Sequence, residues 1–241
     1  MQKIESFKDG EWVVQVAYPL LDYLDMYLFD EDTLVNEVHT GDARPFDGRA
    51  VAVVDFIMSL QTKGKHHYRL LARIETQGTL MVFIKWMSKP AYAESLATQQ
   101  MVYGAYYGIL TVMPLYHLFI FFVVRERSYF CYILSISAFI LLQLSFDGRG
   151  FLLLWPNVLS LNEFMFPLSY SVYQMAILTF MVEFLQLRKT SPKIYFYFNA
   201  LRLLAIVNII GVFLLPYRVI TPIAIFSGIL TIVSGLSAGG Y

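Results

Sequence analysis

The residues that could do chemistry in this chain are few, and they form no catalytic or metal-binding pattern. A G-x-S-x-G sequence occurs at residues 235–239, but a nucleophile at such a turn needs a preceding strand and a downstream acid and histidine. An apolar helix-length run precedes it instead. His66 and His67 are adjacent in a polar turn, and neither a cysteine nor a further histidine completes a coordination set around them. We therefore predict no catalytic residue, no metal site and no cofactor, and hence no enzyme.

Glu183 and Arg202 are the most informative charges inside apolar stretches. Each lies about a turn or more inside the end of its stretch, on consecutive antiparallel helices. An interhelical ion pair would offset the cost of placing these charges in hydrocarbon; independent snorkelling and a signalling switch are the alternatives. His117 has no acidic residue near it in sequence, so we expect a hydrogen-bonded structural histidine rather than a pH sensor or relay.

Small and amide side chains are the other polar features of the apolar region. Gly104 and Gly108 form a G-x-x-x-G pair, which suits close packing within a helix bundle or a homodimer face. Four amide side chains are expected to hydrogen-bond neighbouring helices: Gln143, Gln174, Asn199 and Asn208. Carboxylates do not accompany them in a ladder, so an ion path is not predicted.

The composition is that of a membrane protein. The chain has 241 residues, of which 57% are hydrophobic and only 15% charged, and its mean hydropathy is +0.56. Charged residues are concentrated in residues 1–94, which indicates a water-soluble region followed by a bilayer-embedded one. The formal net charge is zero without a Lys/Arg block, so nucleic-acid binding is not expected. The single cysteine, Cys131, excludes a disulfide framework.

Five stretches are long enough to cross a bilayer, which requires about 20 apolar residues. They are residues 100–124, 129–146, 165–187, 196–215 and 219–237. Between the second and third, residues 147–163 are apolar but interrupted by Gly and Pro, and we predict a loop or interfacial segment there. The loops after the first and third spans contain five Lys or Arg residues, against two after the second and fourth. The positive-inside rule therefore places the N-terminal region outside.

Residues 1–92 are predicted to form an all-β domain. Strands are expected at residues 12–18, 23–29, 51–60, 68–76 and 79–87, with a Gly- and Pro-containing loop at residues 41–51. Regularly spaced short strands indicate an antiparallel sandwich. Because so few strands must cover two sheets, the domain looks incomplete. Residues 93–99 are predicted as a linker, with the start of a helix as the alternative.

Several short sequences resemble the bacterial seven-transmembrane receptors with diverse intracellular signalling modules. The first span contains YYGIL and LYHLF at residues 106–110 and 115–119. The second begins with a spaced R, SY and Y at residues 125–132, and the following loop has a glycine and LWP within residues 150–156. Residues 1–90 resemble the later two-thirds of the family's type 2 extracellular module, through LDYLDMYLFD and GDARPF.

The resemblance implies a jelly-roll-like extracellular domain followed by a membrane bundle with five of seven expected spans. It further implies a periplasmic ligand, such as a glycan, and residence in a bacterial inner membrane. The family's signal peptide and its cytoplasmic output, such as a diguanylate cyclase or histidine kinase, are expected outside this sequence, which we interpret as a fragment of a sensory receptor.

Four aromatic residues are candidates for stacking on a sugar, and core packing is the alternative explanation for each: Trp12, Tyr18, Trp86 and Tyr92. Two other function classes are open. A transporter or channel would be favoured by broken helices and a midplane polar site. A membrane enzyme would have Glu183 and His117 as its best candidates, although the two are expected at different depths.

Overall fold

The computed structural model describes residues 9–45, 49, 53–62, 68–78, 80–156 and 158–238. The chain divides into two compact units. The β unit comprises residues 1–103 and 147–162, and the helical unit comprises residues 104–146 and 163–241. Strands in the described residues are β1 Gly10–Val16, β2 Tyr23–Asp30, β3 Thr33–Thr40, β4 Phe56–Thr62, β5 Tyr68–Glu75 and β6 Ile84–Ser88. Helices there are α1 Lys89–Val124, α2 Arg127–Phe146, α3 Arg149–Leu153, α4 Leu159–Phe184, α5 Leu187–Thr190, α6 Pro192–Leu214 and α7 Tyr217–Ala238.

The β unit contains two antiparallel three-stranded sheets that share one core. The β1 sheet has the order β4-β1-β6 and the β2 sheet has the order β3-β2-β5. Because successive side chains in a strand point to opposite faces, Leu24, Met26 and Leu28 of β2 all enter the core. Val14 of β1 and Phe56 of β4 enter it from the other sheet. The prediction of an antiparallel all-β domain is confirmed.

Strand β3 is missing from the sequence-based prediction. It pairs with β2 through a two-residue turn, in which Glu31 adopts a positive φ of 55°. β3 is an edge strand, and most of its side chains are exposed. A strand with so little buried surface carries a weak apolar pattern, and therefore the alternation that normally reveals a strand is faint.

Residues 93–99 are helical, so of the two alternatives, a linker or the start of a helix, the structure has the helix. They lie inside α1, which begins at Lys89. Pro90 is in the first turn, where a helix tolerates proline because the N–H it lacks would have no intrahelical partner. The sequence that follows is rich in alanine, glutamate, leucine and glutamine, all good helix formers.

Among the described residues, five helices are long and apolar enough to cross a membrane, as predicted: α1, α2, α4, α6 and α7. Pro114, Pro167 and Pro222 lie inside α1, α4 and α7, which continue through them. Between α2 and α4 the described chain forms only the short helix α3, consistent with the predicted interfacial segment. Residues 147–162 lie between two of the predicted spans and, by their contacts, cluster with the β unit.

Candidate functional site

The outer face of the β2 sheet carries polar and aromatic side chains. Since Leu24 and Met26 face the core, alternation places Tyr23 and Asp25 on the opposite face. Asp25 stands in register with His39 on β3 and with Arg73 on β5. Side chains directly opposite each other on one face are about 5 Å apart at Cβ. Three strands therefore bring charged groups together around Asp25.

Asp25 is a buried carboxylate with two strong donors. Arg44 Nη1 donates to its Oδ1 at 2.6 Å, and His39 Nδ1 lies 2.8 Å from the same oxygen. A carboxylate only accepts, so the proton of this second bond is on His39 Nδ1. The hydrogen bond from Arg44 lowers the pKa of Asp25 below its ordinary value, with a smaller contribution from His39 and against the effect of burial. Asp25 is thus a fixed negative charge at neutral pH.

A cavity of about 160 Å³ is lined by Tyr23, Asp25, Arg44, Arg73 and Glu75. The Arg44 guanidinium lies 5.3 Å from the centroid of the Tyr23 ring, so it contacts both the aromatic wall and Asp25. Arg73 Nη2 lies 3.7 Å from Glu75 Oε2, and both of these side chains are largely exposed. The cavity therefore has a fixed charged pair inside and a second, adjustable pair at its rim.

The chemistry of this cavity is that of a hydrogen-bonding site without net charge. Two guanidinium groups and two carboxylates line it, so their formal charges cancel. Guanidinium groups offer only donors and carboxylates offer only acceptors. A hydroxyl group both donates and accepts, so a ligand rich in hydroxyls can use both kinds of partner. The exposed Tyr23 ring adds an apolar surface to the same cavity.

The four aromatic candidates from the sequence lie elsewhere. Trp12, Tyr18 and Trp86 pack against the shared core of the two sheets. Tyr92, in the first turns of α1, is 8% exposed. The cavity around Asp25 is lined by none of the four. Their placement matches the alternative explanation, packing.

The candidate charges of the helical unit do not meet. Among the ion pairs of the described residues, none joins Glu183 to Arg202. Glu183 is exposed, whereas Arg202 Nη1 donates to Asn199 Oδ1 at 3.1 Å within α6. The predicted interhelical ion pair is therefore replaced by a local contact.

His117 has the structural role expected of it. Its Nδ1 lies 2.8 Å from the carbonyl of Met113 on the same helix, and the carbonyl can only accept. Its ring lies 4.1 Å from the Tyr132 ring of α2, measured between centroids. The side chain thus joins α1 to α2 by ring packing while its donor is satisfied locally.

Amide and hydroxyl groups connect three helices of the helical unit. Gln174 Nε2 donates to Thr231 Oγ1 at 2.9 Å, and Asn208 Nδ2 donates to Ser227 Oγ at 2.8 Å. The Ser227 hydroxyl has one proton and two acceptors in range, Gln174 Oε1 at 3.0 Å and the carbonyl of Ala224 at 2.8 Å. All of these polar residues are buried. The predicted amide contacts between helices are confirmed for Gln174 and Asn208.

The remaining amides and glycines behave differently from one another. Gln143 Nε2 donates to the Tyr106 hydroxyl at 2.8 Å and joins α2 to α1, as predicted, whereas Asn199 bonds within α6. A Cβ placed on Gly104 or Gly108 would meet nothing within 4 Å in the described residues. These glycines are therefore not used for packing there, and a homodimer face stays a prediction. His66, His67 and Gly239 lie outside the described residues.

Sequence interpretation missed the residues that line the cavity, Asp25 and Arg44 foremost. Both lie in stretches that carried the family resemblance, LDYLDMYLFD and GDARPF. One available signal is the alternation in β2, where Tyr23, Asp25 and Tyr27 oppose three apolar residues and predict a polar outer face. Arg44 has no such signal, because a loop brings it to Asp25.

Comparisons with known proteins agree with this arrangement of a β domain and apolar helices. A family model described as 7TM diverse intracellular signalling matches residues 99–241. A second model, described as 7TMR-DISM extracellular 2, matches residues 4–88. No curated protein shows a significant match. Because the first match covers more than half of the chain and the second covers the β domain before it, the chain belongs to the family of seven-transmembrane receptors with diverse intracellular signalling, with their type 2 extracellular module outside the membrane.

Proposed function

We propose that this chain is the sensing part of a bacterial inner-membrane receptor that binds a small carbohydrate in the periplasm. The ligand occupies the cavity around Asp25 on the outer face of the β2 sheet. Its binding is passed through the membrane helices to a cytoplasmic signalling domain. The family is one of membrane sensory receptors with extracellular and transmembrane modules, and the ligand class is what we add.

The observation that carries the proposal is the balanced charge of the cavity. Asp25 and Arg44 neutralise each other inside, and Arg73 and Glu75 do so at the rim. An anionic or cationic ligand would leave one of these groups without its partner, whereas a neutral polyol can bond to both signs. Leaving a buried polar group without a partner costs more free energy than a typical new hydrogen bond contributes. A neutral ligand, which leaves the existing pairs intact, is therefore favoured.

The helices favour a receptor over a transporter. Transporter sites are built from discontinuous helices whose unwound backbone binds the substrate. α1, α4 and α7 each contain a proline and nevertheless continue through it. Three buried polar residues of the helical unit are also bonded to one another, Gln174, Ser227 and Thr231.

The test is a titration of the full chain in lipid nanodiscs with maltose, glucose and glucuronic acid, followed by calorimetry. We expect a neutral sugar to bind with little dependence on salt. Arg73→Ala removes a rim donor from an exposed position and should weaken binding about tenfold, the value of one charged hydrogen bond.

Arg69→Ala is the matched control for this titration. Arg69 is four residues earlier on the same face of β5, where it donates to the carbonyl of Glu31 and to Asp32. Sugar affinity should be unchanged in this variant. Failure of all three sugars to bind, binding of glucuronic acid alone, or equal affinity in Arg73→Ala and the unmodified chain would each contradict the proposal.

A further inference from the structure

Residues 147–162 connect α2 to α4 and cluster with the β unit, although the helices on either side of them belong to the helical unit. This connecting segment contains α3 and the first residues of α4. The chain therefore passes between the two units at three places, after residues 103, 146 and 162. The contacts between the connecting segment and the rest of the β unit show which movements of the β unit would reach the helices on either side of the segment.

Gly148 brings the bare backbone of the connecting segment against the β unit. Its φ is +69°, a left-handed conformation that glycine adopts without strain. A Cβ at this position would lie 2.7 Å from Pro19 Cβ and 3.1 Å from Val54 Cγ1. Any other residue would have to push these loops apart, so the contact depends on glycine.

Arg49 joins the same surfaces through a half-buried guanidinium group. Its Nη1 donates to the carbonyl of Val54 at 3.0 Å and its Nη2 to that of Gly41 at 3.3 Å. The group lies 4.7 Å from the ring centroid of Phe56 in β4 and 5.9 Å from that of Phe151 in the connecting segment. Burial lowers the pKa of Arg49 to about 10, so it remains charged at neutral pH.

Asn162 provides a directional link from the connecting segment to the candidate ligand cavity. Its Nδ2 donates to the carbonyl of Asp42 at 3.2 Å, and its Oδ1 accepts from Trp155 Nε1 at 3.2 Å. Two residues beyond Asp42, Arg44 donates to Asp25 inside the cavity. A single loop, residues 41–44, therefore contacts the cavity at one end and the connecting segment at the other.

Backbone hydrogen bonds make the loop of residues 41–44 rigid, so its residues shift together. The N–H groups of Asp42 and Ala43 donate to the carbonyls of Leu21 and Asp22 at 2.8 and 3.1 Å. A Cβ on Gly41 would collide with the Asp22 carbonyl, so the two chain segments are in direct backbone contact. A displacement of Arg44 is thus shared with Asp42 rather than absorbed between them.

We infer that the loop of residues 41–44 couples the cavity to the connecting segment, with Arg44 and Asn162 as its positioning residues. A ligand hydroxyl that accepts a further hydrogen bond from Arg44, which stays paired with Asp25, shifts Arg44 and its loop, and Asn162 at the start of α4 follows. Chain continuity carries the shift from the connecting segment into α2 and α4. The inference rests on the proposed function in taking the cavity as the ligand site, and a shift requires different ligand affinity for the two arrangements.

The test is hydrogen exchange of the full chain in nanodiscs, without ligand. Asn162→Asp keeps the oxygen that accepts from Trp155 and removes the N–H that reaches Asp42. We expect it to speed exchange at residues 40–45 about twofold or more, the lower end of coupling between linked sites. If the loop couples its two ends, Arg44→Ala should in turn speed exchange at residues 147–162.

Ser160→Ala is the control, since Ser160 is an exposed residue of the same helical turn. Exchange at residues 40–45 should be unchanged in it. If Asn162→Asp and Arg44→Ala each alter exchange only around the substituted residue, the coupling is rejected. The sugar titration tests the proposed ligand separately. If both variants change exchange at the distant segment but no sugar binds, the carbohydrate proposal is rejected and the coupling is kept. If a sugar binds but exchange changes only locally, the coupling is rejected and the carbohydrate proposal is kept.

Discussion

Two aspartates of the β unit are held in opposite ways. Asp25, on the β2 sheet, accepts from the charged Arg44, and its pKa is lowered. Asp55, just before β4, accepts at 2.5 Å from the neutral amide of Gln15. Burial raises the pKa of Asp55, against the hydrogen bond from Gln15 and the positive charge of more distant cations. The ionised form of the aspartate is therefore favoured at Asp25 and disfavoured at Asp55.

The difference follows from what surrounds each carboxylate. Asp25 has its counter-charge in direct contact, which leaves the cavity neutral and its geometry fixed. The cations near Asp55 come from three separate parts of the β unit, namely Arg149 in α3, Lys85 in β6 and Arg49. Asp25 thus has one counter-charge in direct contact. Asp55 instead lies at a junction where several segments of the β unit bring positive charges near one carboxylate.

The largest effect is expected from Arg49→Met, which removes the half-buried cation on the Asp55 side. The carbonyls of Val54 and Gly41 lose their donor, and the rings of Phe56 and Phe151 lose their contact with the guanidinium. We expect a loss of about 2–4 kcal/mol in the free energy of unfolding of the β unit, because buried acceptors are left unsatisfied. Urea unfolding by tryptophan fluorescence measures it, since Trp12, Trp86 and Trp155 all belong to this unit.

Arg69→Met is the control for this measurement, because Arg69 is a partly exposed arginine on the other sheet. Surface pairs contribute at most about 1 kcal/mol. A loss of similar size in both variants would mean that Arg49 is no more important than a surface arginine, and would remove the distinction between the two regions.

A second, smaller effect is expected at Asp25. Asp25→Asn keeps an acceptor for Arg44 but loses the charge, and charged hydrogen bonds are the stronger ones. We expect a loss of about 1–2 kcal/mol at pH 7. Because the folded-state pKa is lowered, the contribution of Asp25 is present above its ordinary pKa of 3.8 and is lost as the pH falls below it. The stability difference from the unmodified chain should therefore shrink in acid; a constant difference from pH 7 to pH 3 would contradict this assignment.

The sequence predicted the parts of the fold that rest on strong patterns. Five spans follow from length and hydropathy, and the two-sheet domain follows from short, alternating strands. Strand β3 was missed because an exposed edge strand needs few apolar residues. Residues 93–99 were left open between a linker and the start of a helix, because their polar composition fits a linker while their residue types favour a helix.

The site could not be predicted because it depends on long-range placement. Arg44 reaches Asp25 from a loop 19 residues away in sequence, and Asn162 reaches Asp42 across 120 residues. Local patterns contain no information about either approach. Aromatic residues were the natural candidates for a sugar site, but Trp12 and Trp86 are equally natural core residues, and the two sheets use them in that way.

The smallest effect, and the most informative about the comparison, is expected from Asp55→Asn. The Asn side chain can still accept from Gln15, and the cost of burying a charge disappears. We expect the variant to be as stable as the unmodified chain at pH 7, or more stable by up to about 1 kcal/mol. Asp55 and Asp25 would then respond in opposite directions to the same substitution.

The contribution of Asp55 to stability depends on pH in the opposite direction to that of Asp25. A raised folded-state pKa means that stability is fully present below the ordinary pKa of 3.8 and is lost as the pH rises through the raised value. The unmodified chain should therefore match the variant in acid and fall below it as the pH increases towards 7. If Asp55→Asn instead destabilises the β unit at pH 7 as much as Asp25→Asn does, the cations around Asp55 outweigh its burial, and the junction is a tight ion cluster like the cavity.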